Sequence, residues 1–399
     1  MIKNIPHKAT VSHLKKHNEI LVLREIYNRA GISRVEIADA TNISRPSVTE
    51  ITQGLLQRGL IQELGPQVRE TVGKKPTLLA FDADAYCMAC VIINETSIVG
   101  SLLDLRARPV AQHSIPIDNS KTAKVVDQLS SVIKTLIRAA NRPVLGIAVG
   151  TPGIVEPHTG TVQLAANFGW RNLPLGQQLA KRFKLPVCVG NDSDLIMLGE
   201  HRFGTAQGDK DLIVVKVDVG IGVGILSDGH IIHGHSYSAG EIGHAPFLML
   251  DDECVCGRKG CLETLVSWWG LKRHAAQIVA EHPDSLLSRL ADGHEITSDL
   301  LIQALAGGDQ YVEALVEKAG TYLGQALTIM IHLLNPKQII LTGSLLQLGD
   351  KFLNCVREAV YTQVIPYMAQ DVEFVVSPNA DHAMMIGAGA MLLEQELGI

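Results

Sequence analysis

Glu241-Ile242-Gly243-His244, followed nine residues later by Cys254-Val255-Cys256-Gly257-Arg258-Lys259-Gly260-Cys261-Leu262-Glu263, is the most informative stretch of this chain. Three thiols and one imidazole make a complete tetrahedral donor set for zinc, and the two glycines let so short a loop fold around an ion. Four protein ligands leave no position for a reactive water, so the zinc expected at His244, Cys254, Cys256 and Cys261 is structural. The other cysteines, Cys87, Cys90, Cys188 and Cys355, are scattered. They read as core residues, and this includes Cys87-Met88-Ala89-Cys90, whose CxxC spacing opens an apolar strand.

Outward from this stretch, apolar runs alternate with helical patterns. Residues 89–93 and 98–105 read as paired strands, a helix spans about 121–140, and the strand 144–149 ends in Gly150-Thr151-Pro152-Gly153. Val187-Cys188-Val189 runs into Gly190-Asn191-Asp192 and a helix to about Gly199. Residues 212–219 and 338–341 are further strands, the first followed by Gly220, Gly222 and Gly224, the second by Thr342-Gly343-Ser344. Strands that alternate with helices and end in Gly, Asn and Asp predict an α/β body. A length of 399 residues, 46% hydrophobic and 19% charged, fits a folded protein of two or three domains rather than a disordered one. No apolar run reaches the roughly 18 residues of a membrane helix. Residues 1–8 lack the apolar stretch of a signal peptide. A cytoplasmic protein is expected, in which clustered cysteines hold metal rather than disulfides.

The front of the chain differs from the rest. Residues 1–80 hold 12 Lys/Arg against 7 Asp/Glu, whereas the remainder holds 23 against 34. A basic head on an acidic body suits a head that meets a polyanion. Residues 18–30 show a helical apolar face with Gly31 as a stop. Ser33-Arg34-Val35-Glu36 reads as a capping box for a short second helix to about Thr41, and Asn42-Ile43 as a tight turn. Ser44 caps a third helix that ends near Gly59. Residues 61–64 and 77–81 read as strands joined by a polar loop. Three helices followed by a hairpin describe a winged helix-turn-helix. Ser44-Arg45-Pro46-Ser47-Val48-Thr49 opens the recognition helix, offering a guanidinium and three hydroxyls to guanine edges and phosphates. Arg34, Ser44, Arg45, Ser47 and Thr49 are therefore the candidate DNA contacts, with Lys74 and Lys75 at the wing tip placed to reach a minor groove.

The run from Glu241 to His244 with the CxCGxxGCxE pattern from Cys254 to Glu263 resembles the signature of the ROK family (repressors, open reading frames, kinases). Residues 217–224, with their three glycines, resemble its other half. The resemblance covers nearly the whole chain: a winged helix in front, a two-lobed, actin-like, sugar-kinase-like body behind. It is strongest toward the sugar-metabolism repressors of the Mlc and NagC type, which Ser33-Arg34 and Ser47-Val48-Thr49 also match. It implies a sugar site between the lobes made by Asn191, Asp192, Glu241, His244 and Glu263. With one imidazole nitrogen of His244 on zinc, the other is fixed toward the cleft, so the metal orients a sugar ligand without touching the sugar. In the family's kinases the residue matching Asp192 is the general base.

The same kinases carry a DIGGT phosphate loop. Here that stretch is Ile92-Ile93-Asn94-Glu95-Thr96, without the aspartate and both glycines, and with a carboxylate that faces a triphosphate. Asp218-Val219 stands where they have Gly-Thr. Asp192 is then a vestigial base, and no catalytic residue is expected. The expected function is a sugar-responsive repressor of carbohydrate genes that binds operator DNA and a sugar or sugar phosphate, acting as a homodimer or higher homo-oligomer. Two alternatives stay open: a ROK-type sugar kinase, and a repressor induced by a phosphotransferase-system transport protein. The expected division is a head at 1–81, a first lobe at 82–195 and a second lobe with the zinc motif at 196–399, the final helix packing back on the first lobe.

Overall fold

Caps written into the first sixty residues lay down three helices, Val11–Asn28, Arg34–Thr41 and Arg45–Gln57. A computed structural model describes residues 11–66, 76–117, 122–247, 251–377 and 379–399. The first helix begins at Val11 rather than at residue 18, because residues 13–17 are exposed and carry no apolar periodicity to read. The capping box forms as expected: the Glu36 N–H donates to Ser33 Oγ, and Glu36 Oε2 accepts the Ser33 N–H at 2.9 Å. Asn42 takes the left-handed turn (φ 56°). Val48, Thr52 and Leu55 bury one face of the third helix against a core with Val22, Leu23, Ile26 and Ile37. Strand Ile61–Pro66 pairs with Thr77–Phe81, which also pairs with Ile32–Ser33, making a three-stranded antiparallel wing. Lys74 and Lys75 lie outside the described residues.

Behind the head, two five-stranded sheets repeat one pattern. In the first, Val187–Asn191, Val144–Thr151 and Cys87–Ile93 are parallel, and Ser97–Asp104 and Pro109–Pro116 follow antiparallel. In the second, Glu373–Ser377, Gln338–Thr342 and Leu212–Val217 are parallel, and Ile221–Ser227 and His230–Ile231 follow antiparallel. The interior strands Cys87–Ile93 and Gln338–Thr342 are buried throughout, as strands covered on both faces must be. Cys87 and Cys90 are buried in the first of these. The exposed edge strand Pro109–Pro116 is not among the expected elements, since its mixed polar and apolar residues give no apolar run.

Two helices lie between the sheets. Asp192–Phe203 packs on strands of the second sheet, Ala380–Leu397 packs on strands of the first, and the helices pack on each other. The expected boundary at residue 195 falls inside the first of these, which is continuous through that point. Their crossing is a backbone contact: a Cβ at Gly199 would run into the Ala383 carbonyl, and one at Gly387 into the Leu195 carbonyl. Buried Glu200 ties the first helix to the second sheet by accepting from Ser377 Oγ at 2.5 Å. The final helix ends at the head. Arg24 Nε donates to the Gly398 carbonyl at 2.5 Å, and Leu397 and Ile399 share one apolar core with Leu23 and Ile26. Arg106, from the first lobe, stacks 4.0 Å from the Tyr27 ring centre and donates to the Tyr27 carbonyl.

Gly387→Ala should cost about 1–3 kcal/mol, because backbone rather than a flexible side chain must yield. Gly54→Ala, where a Cβ meets nothing, should be neutral or gain roughly 0.5–1 kcal/mol. Chemical denaturation compares the two, and equal stabilities would sink the close-crossing account.

Candidate functional site

The cysteine loop folds back on His244 through its own backbone. Cys254 N–H donates to the Arg258 carbonyl at 2.7 Å, and Gly257 and Gly260 take positive φ of 83° and 75°. The donor atoms of His244, Cys254, Cys256 and Cys261 all lie within 4.8 Å of one another. Cys254 Sγ is 3.5 Å from His244 Nδ1, and the Sγ atoms of Cys256 and Cys261 are 3.6 Å apart. Tetrahedral ligands at about 2.3 Å from zinc stand roughly 3.8 Å apart, so the donor set fits the ion. Without a cation, burial and hydrogen bonds among the sulfurs push the Cys261 thiol up to about 12. A divalent cation reverses that preference and holds the ligands as thiolates.

The other face of the imidazole meets the cleft. His244 Nε2 lies 3.9 Å from Glu241 Oε2. Asn191, Asp192, Glu241, His244 and Glu263 all line a single cavity of about 820 Å³, within the ~300–1,000 Å³ usual for ligand sites. The first lobe contributes Asn94–Thr96 and Pro152-Gly153, and the second contributes the loop from Asp218 to Val223. Each residue of the set is already engaged. Asn191 caps its helix, its Oδ1 accepting from the N–H groups of Ser193 (2.8 Å) and Asp194 (3.3 Å), while Nδ2 donates to the Gly153 carbonyl. One of its two amide hydrogens is left for a ligand. Glu263 accepts the Ile221 N–H at 3.0 Å. Burial lifts the Glu241 carboxyl above its ordinary range; His244 pulls it back, and Asp192 and Glu263 add to the lift.

Sequence inspection passed over one residue of this site. Lys216 Nζ donates to Asp192 Oδ2 at 3.0 Å, both groups being largely buried. Burial pulls the ammonium down, but Asp192, with Asp218 and Asp381 beyond it, more than offsets this and keeps Lys216 cationic. The signal was a lone lysine in the otherwise apolar strand Leu212–Val217. Glu95 lines the same cavity, where burial and the charges of Asp218, Glu263 and Asp192 hold its carboxyl up against the pull of Lys216. Asp218 accepts a hydrogen bond from Ser344 Oγ, which in turn accepts from Trp268 Nε1 at 2.8 Å.

In the head, Ser44, Arg45 and Thr49 are exposed on the third helix and Ser47 is half-buried. Ser44 Oγ caps the helix and shares a hydrogen bond with Ser47 Oγ at 2.8 Å; Thr49 Oγ1 donates to the Arg45 carbonyl. Arg34 departs from expectation. Its guanidinium donates to Thr52 Oγ1 at 3.0 Å and to Glu63 at 2.9 Å, so it braces the second helix against the third and the wing. Gln53, one turn beyond Thr49, is exposed on the same face and was not among the expected contacts.

A model described as the ROK family matches residues 88–395, and one described as the MarR family matches residues 16–64. The xylose repressor of Caldicellulosiruptor bescii is 28% identical over 393 residues, 96% of this chain and 97% of that protein. A glucokinase of Halalkalibacterium halodurans is 35% identical over 254 residues, 63% of this chain and 77% of the kinase. A crystal structure of a ROK family transcriptional regulator, homologous to the Escherichia coli MLC protein, matches with a TM-score of 0.85 at 27% identity, over 96% of this chain and 97% of that one. The chain is thus similar to repressors along almost its full length, head included, and to that glucokinase over 63% of it.

Purified protein should carry a single zinc per chain by metal analysis, and Cys256→Ser should lose it together with thermal stability; a metal-free wild type that melts at an unchanged temperature would remove the structural role. Glu95→Gln tests the crowded carboxylates. A carboxyl whose folded pKa is raised makes the native state hold more protons than the unfolded one, so stability falls as pH rises between the ordinary and the raised value. The variant should therefore melt above wild type at pH 7–8 and equal it near pH 4. No difference at pH 7–8 would place Glu95 in an ordinary solvated environment.

Proposed function

The chain belongs to the ROK family, and from that premise we propose that it is a DNA-binding transcriptional repressor of carbohydrate uptake and metabolism genes, released by a sugar held between its lobes. The observation that carries this is the Lys216–Asp192 ion pair inside a cleft that keeps its candidate sugar-binding groups. A general base needs a free oxygen aimed at a sugar hydroxyl, and both oxygens of Asp192 already accept within the protein, Oδ2 from Lys216 Nζ at 3.0 Å and Oδ1 from the Ser193 N–H at 2.9 Å. Glu95 sits in the loop that would approach the phosphates, and the Ile221 N–H that could cradle them is taken by Glu263. The binding groups are retained while the groups for phosphoryl transfer are neutralised, which favours a sensor over a kinase.

In this mechanism Asn191, Asp192, Glu241, His244 and Glu263 hold sugar hydroxyls, and zinc on His244, Cys254, Cys256 and Cys261 fixes the imidazole. Zinc supplies a rigid anchor for the loop and no chemistry on the ligand. Arg45, Ser44, Ser47, Thr49 and Gln53 read DNA from the third helix, with Lys74 and Lys75 on the wing. A single recognition helix spans few base pairs, so the protein acts in the cytoplasm as a homodimer or higher oligomer over two half-sites. Sugar draws the lobes together over the cleft, the paired helices move as one rigid unit, and the final helix carries the change to the head. A coupling of about 1–3 kcal/mol relieves repression 5–150-fold.

Fluorescence anisotropy at fixed salt, with DNA from upstream of its own gene and of sugar-uptake genes, tests the reading. Specific binding released by one sugar is expected. Specific binding that no sugar disturbs would shift the inducer to a transport protein, and no specific binding to any fragment would return the kinase, to be followed by an ATP-coupled phosphorylation assay. Arg45→Ala should weaken operator binding by roughly tenfold or more, the loss of a guanidinium contact worth about 1–3 kcal/mol. Unchanged affinity would remove Arg45 from the interface.

A further inference from the structure

The electrostatics of the cleft narrow the effector. Resting on the sugar-cleft reading above, we propose that the effector is an uncharged, unphosphorylated sugar and that the cleft is built to reject sugar phosphates. Among the described residues the cavity is lined by seven carboxylates against one lysine and two histidines, of which His233 lies 3.1 Å from Asp194 and His244 belongs to the metal donor set. That lysine, Lys216, is spent on Asp192. Among the described residues no arginine lines the cavity, so the planar fork that usually grips phosphate is missing from its described walls.

The other phosphate cradles of such folds are occupied too. Helix N-termini bind anions through free N–H groups. The helix Asp192–Phe203 opens at the cleft, but Asn191 takes its first N–H groups, and Asp192 and Asp194 stand in its first turn. The helix Ala380–Leu397 is capped by Asn379 and has Asp381 in its first turn, itself part of the cavity wall. The glycine loop offers no substitute. A Cβ at Gly220 would lie 2.6 Å from Glu263 Oε2, and one at Gly222 would strike Ser193 Oγ. These glycines admit the protein's own oxygen atoms, a carboxylate among them, where a phosphate oxygen would have to sit. Carboxylates and amides can instead accept and donate to the paired hydroxyls of a neutral sugar without any charge to neutralise.

Isothermal titration of the full-length protein, without added divalent cations, with glucose, xylose and N-acetylglucosamine and with the phosphate esters of each, decides the matter. The expected result is one neutral sugar that binds at least tenfold tighter than its own phosphate. Because the rejection is electrostatic, the gap should shrink as salt rises from 20 to 300 mM and shrink several-fold in the double variant Glu95→Gln, Asp218→Asn, with circular dichroism and operator binding confirming that the variant is folded. A phosphate that binds as tightly as its neutral parent overturns the proposal and leaves the sugar sensor standing. A gap that neither salt nor the variant alters overturns the charge argument in favour of shape. Binding of no sugar and no phosphate overturns sugar sensing itself and this proposal with it.

Discussion

The crossing of Asp192–Phe203 with Ala380–Leu397 is the contact on which the rest of the molecule depends. Each helix belongs to a different sheet, and the two meet backbone to backbone at Gly199 and Gly387. Close helix contacts of this kind tolerate sliding or rotation poorly, since no flexible side chain lies between the backbones to take up the change. Their N-terminal ends bring Asn191, Asp192 and Asp381 to the cleft, while the C-terminal end of the last helix is buried in the head's core. An 18-residue helix spans about 27 Å, so one rigid element reaches from the cavity to the first helix of the head. A fold with the head on a flexible tether would lack that route; here Arg24, Arg106 and the apolar core around Ile26 and Leu397 fasten it.

Lys216 shows how one charge can redirect a site. A buried lysine beside a buried aspartate is expensive to desolvate, and removing either partner would strand the other. Such a pair is weak evidence for stability, so its presence in an apolar strand asks for another explanation. Fixing the Asp192 side chain in the wall of the cleft meets that need. Asp192 Oδ1 accepts the Ser193 N–H at 2.9 Å as well, so both oxygens of the carboxylate are held in place.

Much of this was legible in the sequence, and the reasons differ by residue. Ser33 with Glu36, Ser44 at the third helix, and the cysteine run are local devices, with all partners within a few residues or one loop, so spacing alone reveals them. The strands with continuous apolar runs were equally plain. What escaped depended on distant partners. Arg34 looks like a free cation beside a recognition helix, but Thr52 and Glu63 come to it through the tertiary fold. Asn191 reads as a ligand, yet much of its amide is consumed by a helix start and by Gly153, 38 residues away. The first helix hid its opening turns because they are exposed and polar.

The cysteine loop and the cleft form one mechanical unit, which would set a structural ion beside the proposed sensing site. Leu262 N–H donates to the Ala245 carbonyl, and Glu263 then accepts from the Ile221 N–H. Residues 244, 261 and 263 are thus clamped within one short loop and joined to the strand Ile221–Ser227, which packs on the helix Asp192–Phe203. An ion that fixes the loop fixes the position of Glu263 and the rotation of His244 together, and so limits the entropy that a weakly held ligand must remove on binding. Sensing needs only a few kilocalories of difference between two states, and such small differences are transmitted only if the binding groups do not absorb them by their own motion. A pre-set cleft feeding a rigid helix pair satisfies that condition, whereas a loose cleft would spend the ligand's binding energy on ordering itself before any of it reached the head.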